Sequence, residues 1–66
     1  MNRLLRHFTY EHLPQPLAEV SRPFCDLAAQ IDNELEDCAE KTMALRKLLE
    51  AKDCAVRARL EEIQDV

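Results

Sequence analysis

From Pro16 onward the apolar side chains recur at steps of three and four: Leu17, Val20, Phe24, Leu27, Ile31 and Leu35. This is one stripe of an amphipathic helix, and the spacing predicts helix one over residues 16–34. A second band, Leu45, Leu48, Leu49, Ala51, Ala55, Val56, Leu60 and Ile63, crosses a stretch without Gly or Pro and predicts helix two over residues 38–64. Residues 1–15 behave differently. Alternation is confined to Phe8-Thr9-Tyr10, and Leu13-Pro14-Gln15-Pro16 disfavours helix before each proline, so this segment reads as an extended arm or a short turn of helix.

Punctuation refines the two helices. Asp32-Asn33 marks the end of helix one, and Asp37-Cys38-Ala39-Glu40 reads as a capping box with Asp37 at the N-cap of helix two. Pro23 falls inside the first stripe, so helix one either kinks there or begins with Ser21 as its N-cap. Asp53 and Arg57 stand four apart and offer an ion pair on helix two. At 1.5 Å per residue helix two spans about 40 Å against about 25 Å for helix one, so the second overhangs the first. Lys52 and Arg59 interrupt the second band and, with Pro23, argue against a heptad coiled coil. The expected architecture is all-α: one domain over residues 1–66, with a short arm and an antiparallel helical hairpin.

Size changes this picture. A chain of 66 residues buries only about 60% of its unfolded surface, and two helices share a single seam. The alanine-rich side of helix two is left over, and assembly into a homo-oligomer is the expected remedy. Glycine is absent and aromatics number only three (Phe8, Tyr10 and Phe24), which suits helices. Cys25, Cys38 and Cys54 are widely spaced and contain no C-x-x-C pair, so they signal neither a disulfide framework nor zinc. A reducing, cytosolic compartment follows. No apolar run approaches about 18 residues, which argues against membrane spanning.

The formal net charge is −4, which argues against binding a nucleic-acid duplex. Its distribution is uneven. Residues 1–22 carry three basic and two acidic groups, and residues 23–66 carry six and eleven. Both histidines, all three prolines and all three aromatics lie within the first 24 residues. Arg6-His7-Phe8-Thr9-Tyr10 sets cations beside aromatics, a combination that stacks a base and holds a phosphate. The same aromatics equally suit a packing role, with Phe8 and Tyr10 folding back over the hairpin core.

No nucleophile or acid–base constellation signals an enzyme. His7, His12 and Cys25 make a weak metal triplet, better read as surface histidines. The acidic stretch Asp32–Asp37 lacks the spacing and Gly of a calcium loop and reads as a solvated turn that feeds negative charge to helix two. Cys38 and Cys54 are read as small hydrophobes. Neither a cofactor nor a metal is expected.

One segment resembles a known family. Glu40-Lys-Thr-Met-Ala-Leu-Arg-Lys-Leu-Leu-Glu-Ala-Lys-Asp-Cys-Ala-Val-Arg-Ala58 is similar to the second hairpin helix of the phage anti-CBASS cyclic-nucleotide sponges, relatives of the anti-Thoeris sponges. Their pattern is roughly E-K-[ST]-x-A-L-x-K-L-x-E-A-x-x-W-A-[VN]-[KR]-A. Phe8-Thr9-Tyr10 and Asp26–Ile31 match more loosely. Cys54 replaces the family's aromatic, and Arg22, flanked by Pro23, is the candidate for its early basic residue. The resemblance implies a homo-oligomer, typically a hexamer, that grips cyclic di- and trinucleotides between subunits. It nominates Tyr10 over the base and Arg22 on the phosphates, with Thr9 and Arg57 as weaker candidates. The implied role is sequestration of a CBASS second messenger, such as 3',3'-cGAMP or cyclic triadenylate, in the host cell cytoplasm without cleavage. The alternative is a small helical adaptor that docks on a partner protein through its apolar band.

Overall fold

The computed structural model describes residues 2–64; Met1 of the arm and Asp65 and Val66 of the single domain lie outside the described residues. The order of elements is a 3-10 helix over Arg3–Phe8, α1 over Gln15–Glu34 and α2 over Ala39–Gln64, with no strand among the described residues. α1 and α2 pack against each other, and the arm packs against both.

α1 starts one residue ahead of the predicted boundary. The Pro14 carbonyl accepts from the amides of Leu17 (3.0 Å) and Ala18 (2.9 Å), and Pro16 sits in the first turn, where a missing amide costs nothing. The helix then runs through Pro23, so Ser21 is an interior residue and not an N-cap. Ser21 is fully buried, and its hydroxyl has no hydrogen-bond partner among the described residues. Leu35 closes α1 by donating its amide to the Ile31 carbonyl at 3.1 Å.

The cap of α2 also differs from the expectation. Cys38 Sγ accepts the amide of Lys41 at 3.4 Å and the Cys38 carbonyl accepts that of Thr42 at 3.1 Å, so Cys38 is the capping residue. Asp37, freed from that role, accepts from Lys41 Nζ at 2.9 Å. Cys38 and Cys54 are both exposed, and neither acts as a small hydrophobe. The Asp53–Arg57 pair does not form: Asp53 binds Lys52 Nζ at 2.9 Å, and Arg57 Nη2 donates to Cys54 Sγ at 3.4 Å.

The fully buried apolar residues are Phe8, Ala28 and Leu45, one from each element, ringed by half-buried Leu4, Leu5, Phe24, Cys25, Ile31, Leu48 and Leu49. In a 3-10 helix, positions three apart eclipse, which sorts the arm into three faces. Leu5 and Phe8 share the face turned to the core, and Arg3 and Arg6 share an exposed one. Burial holds Phe8 in place; it is not available to stack on a base.

One lysine closes the turn between the helices. Lys41 is only 4% exposed; its Nζ donates to the carbonyls of Asp32 (3.0 Å) and Leu35 (2.9 Å) and to Asp37 Oδ1 (2.9 Å), and forms an ion pair with Asp32 Oδ1 at 3.1 Å. A cation at a helix C-terminus meets orphan carbonyls and the negative end of the dipole, so the position suits it. Asp32 Oδ1 also accepts the Asn2 amide at 3.1 Å, while Asn2 Nδ2 donates to Thr42 Oγ1 at 3.3 Å. Asp32 is therefore a half-buried anchor for the arm, whereas the sequence pointed to a solvated turn. At the opposite end Arg59 Nη1 donates to the Pro16 carbonyl at 3.2 Å and lies 4.0 Å from Glu19. These two contacts fix the helices as antiparallel. Lys52 and Arg59, which were expected to interrupt the apolar band of helix two, lie half-buried.

Candidate functional site

Thr9 and Tyr10 follow the buried Phe8 and lead into the turn that opens α1, where the Leu13 amide donates to the Tyr10 carbonyl at 3.0 Å. Thr9 is exposed and its hydroxyl donates to the Arg6 carbonyl at 3.3 Å; Tyr10 is half-buried, and its amide donates to Glu11 Oε2 at 3.2 Å. Arg22 lies seven residues into α1, about 10 Å along the axis. Its side chain is 68% exposed and meets Asp26 only at 4.0 Å. Arg57 is exposed near the C-terminal end of α2, which runs beside the start of α1. Tyr10, Arg22 and Arg57 therefore lie towards the open end of the hairpin, whereas Thr9 shares a cleft with Asn2, Arg3, Leu5 and Arg6 of the arm. No hydrogen bond or ion pair joins any two of them among the described residues.

A second surface emerges where the arm lies along α2. Two adjoining clefts, of about 430 Å³ and about 390 Å³, share Leu4, His7 and Arg46. Arg3, Arg6 and Thr42 line the first, and Lys52 and Asp53 the second. Another cleft, of about 620 Å³, follows the last turns of α2 and is lined by Ala58, Glu61, Glu62 and Gln64. Its carboxylates repel an anionic ligand.

Sequence reasoning passed over Arg3, Arg46, Thr42 and Asn2, because their convergence depends on how the arm docks. The three-residue spacing of Arg3 and Arg6 was the available signal, readable only once the arm is taken as 3-10 helix.

Electrostatics separates structural from exposed groups. The ammonium of Lys41 hydrogen-bonds Asp32 and holds its carboxyl below the usual range, helped by the Asn2 amide. The hydrogen bond to Asp37 leads in raising Lys41, with Asp32 adding to it. Burial, then the charges of Asp26 and Glu11, push the Cys25 thiol up. Among the described residues no group of three His, Cys, Asp or Glu side chains is arranged to hold a metal ion, and no helix is long and apolar enough to cross a membrane.

No protein family matches the chain, nor does any curated protein or solved structure.

Proposed function

We propose that this protein binds cyclic di- and trinucleotide second messengers and holds them uncleaved, starving a CBASS effector of its activator. The observation that carries the proposal is the docking of the arm. With Phe8 wholly buried, Thr9 and Tyr10 are presented at a fixed place on the surface beside the head of α1. Tyr10 supplies a ring to lie over a base and Arg22 a guanidinium for a phosphate. Because Arg22 is held only by a long, solvated ion pair, transfer to a phosphate costs little. Thr9 and Arg57 complete the set.

A nanomolar grip requires about −12 kcal/mol, more than one exposed arginine and one tyrosine supply. Pockets formed between subunits answer that need by removing base and phosphate from water together. Leu27 (44% exposed), Leu35 (51%), Met43 (49%) and Ile63 (47%) leave apolar surface on both helices for such self-assembly. A hexamer is the assembly the sequence resemblance suggests. The same exposed side chains favour the second reading, an adaptor that covers them with a different protein.

The test is to mix the purified protein with cyclic GMP–AMP or cyclic triadenylate, filter, count free ligand, and then denature and chromatograph what is released. Intact nucleotide recovered only after denaturation supports sequestration. Degraded nucleotide makes the protein an enzyme, and nucleotide left free throughout favours the adaptor.

A further inference from the structure

We propose that the trough between the arm and α2 is a second anion site, separate from the Tyr10 and Arg22 surface, which takes a small phosphoryl ligand of two or more negative charges and disregards the group attached to it. The argument begins with an imbalance. Of the nine Lys and Arg residues, Arg22, Lys41, Lys52 and Arg59 have a carboxylate oxygen within 4.0 Å. Arg3, Arg6, Arg46, Lys47 and Arg57 have none among the described residues, and three of these five line one trough together with His7. In a chain with thirteen acidic residues, leaving three arginines around one cleft with no carboxylate oxygen of the described residues within 4.0 Å maintains a repulsion that an anion would relieve. Asp53, at the far end of the trough, is already engaged by Lys52 at 2.9 Å.

The arrangement is also built in advance. Arg3 and Arg6 are one 3-10 turn apart and therefore eclipse on one face of the arm. The arm itself is held by Phe8 in the core, by the Asn2 amide on Asp32 and by Asn2 Nδ2 on Thr42, so the backbone that carries Arg3 and Arg6 is ordered before binding and only side chains remain to be fixed. Guanidinium forks match phosphate oxygens, and the Thr42 hydroxyl, which accepts from Asn2, keeps its own proton to donate. A cleft of about 430 Å³ falls within the range of small-molecule sites.

Specificity follows from what the trough lacks. Among the described residues Phe, Tyr and Trp are absent from its lining, since Phe8 is spent in the core, and the one ring there is the small, exposed imidazole of His7. Three guanidinium groups against one imidazole weight recognition towards the phosphates. This separates the trough from the surface where the larger Tyr10 ring is presented.

Titration calorimetry of the intact protein with pyrophosphate, followed by competition with ATP and GTP, tests the assignment. Pyrophosphate is expected to bind, and ATP and GTP to displace it equally well. Arg46→Gln, and separately the pair Arg3→Gln with Arg6→Gln, weaken pyrophosphate by about tenfold or more, the loss expected for a charged hydrogen bond. Circular dichroism should show the parental helix content in both, because the altered side chains are exposed, and Lys47→Gln should bind like the parent. Tyr10→Ala should abolish cyclic-nucleotide retention while leaving pyrophosphate affinity intact, so the two sites fail independently. The assignment is overturned if pyrophosphate does not bind, if the arginine variants bind it like the parent, if ATP and GTP differ markedly, or if only a single-stranded oligonucleotide binds.

Discussion

The two ends of the hairpin use the same device in opposite surroundings. At the turn, Lys41 of α2 donates to backbone carbonyls of α1 while almost wholly buried, with four oxygens at 3.1 Å or less. At the open end, Arg59 of α2 also donates to an α1 carbonyl, that of Pro16, but its side chain is 34% exposed and its partner Glu19 stands 4.0 Å away. Polarity differs as well. Lys41 faces the C-terminus of α1, where the helix dipole favours a cation, whereas Arg59 faces the N-terminus, where it does not. One end is locked and the other lightly tethered. The nominated Tyr10 and Arg22 lie in the lightly tethered half, where a ligand or a second copy of the chain has room to approach.

Removing what ties the arm to the core is expected to break the contrast most severely. Phe8→Ala should cost about 3–5 kcal/mol, which matches what the core of so small a domain supplies, so thermal denaturation should lose its cooperative transition. Lys41→Ala comes next. It strands the Asp32 carboxylate beside carbonyls that lose their donor, and the midpoint of a chemical melt should fall far more than for any change at Arg59.

Acid provides a graded version of the same test. The Asp32 carboxyl is held below its ordinary value, so its contribution is complete above about pH 4 and drains away as pH falls through the lower folded-state value. Lys41 is raised, so its contribution persists through neutral pH and fades only above about pH 10. Melting temperature recorded against pH should therefore be level in between, and Asp32→Asn should flatten the acid limb. Arg59→Ala should cost about 0.2–1 kcal/mol, the range of exposed ion pairs, and should be measurable by urea denaturation. Tyr10→Ala should leave stability almost unchanged while removing cyclic-nucleotide retention.

The helices were legible because apolar spacing of three and four persists over both, and the predicted start of α1 missed by a single residue. Pro23 could not be read, because a proline inside a stripe is compatible with a break and with a continuous helix; packing decides, and Ser21 is drawn into the seam. Lys41 was invisible for a different reason. A lysine in the first turn of a helix gives no sign of burial until the chain doubles back and brings α1 carbonyls within reach. The capping role moved from Asp37 to Cys38 through the same closure, since Asp37 is more useful to the ammonium. Of the four nominated site residues, all lie on the surface or partly so; the antiparallel return brings the Arg57 end of α2 beside the start of α1, while Thr9 stays with the arm. The arm's cationic trough was hidden because its members come from segments some forty residues apart.

No described residue has a positive φ, and the chain contains no glycine at all. Every bend is therefore made from conformations open to any ordinary amino acid, and the connection over residues 35–38 imposes no demand for a particular small residue. The demand at this corner falls on side-chain chemistry instead, because Asp37 and Cys38 each accept a hydrogen bond from Lys41.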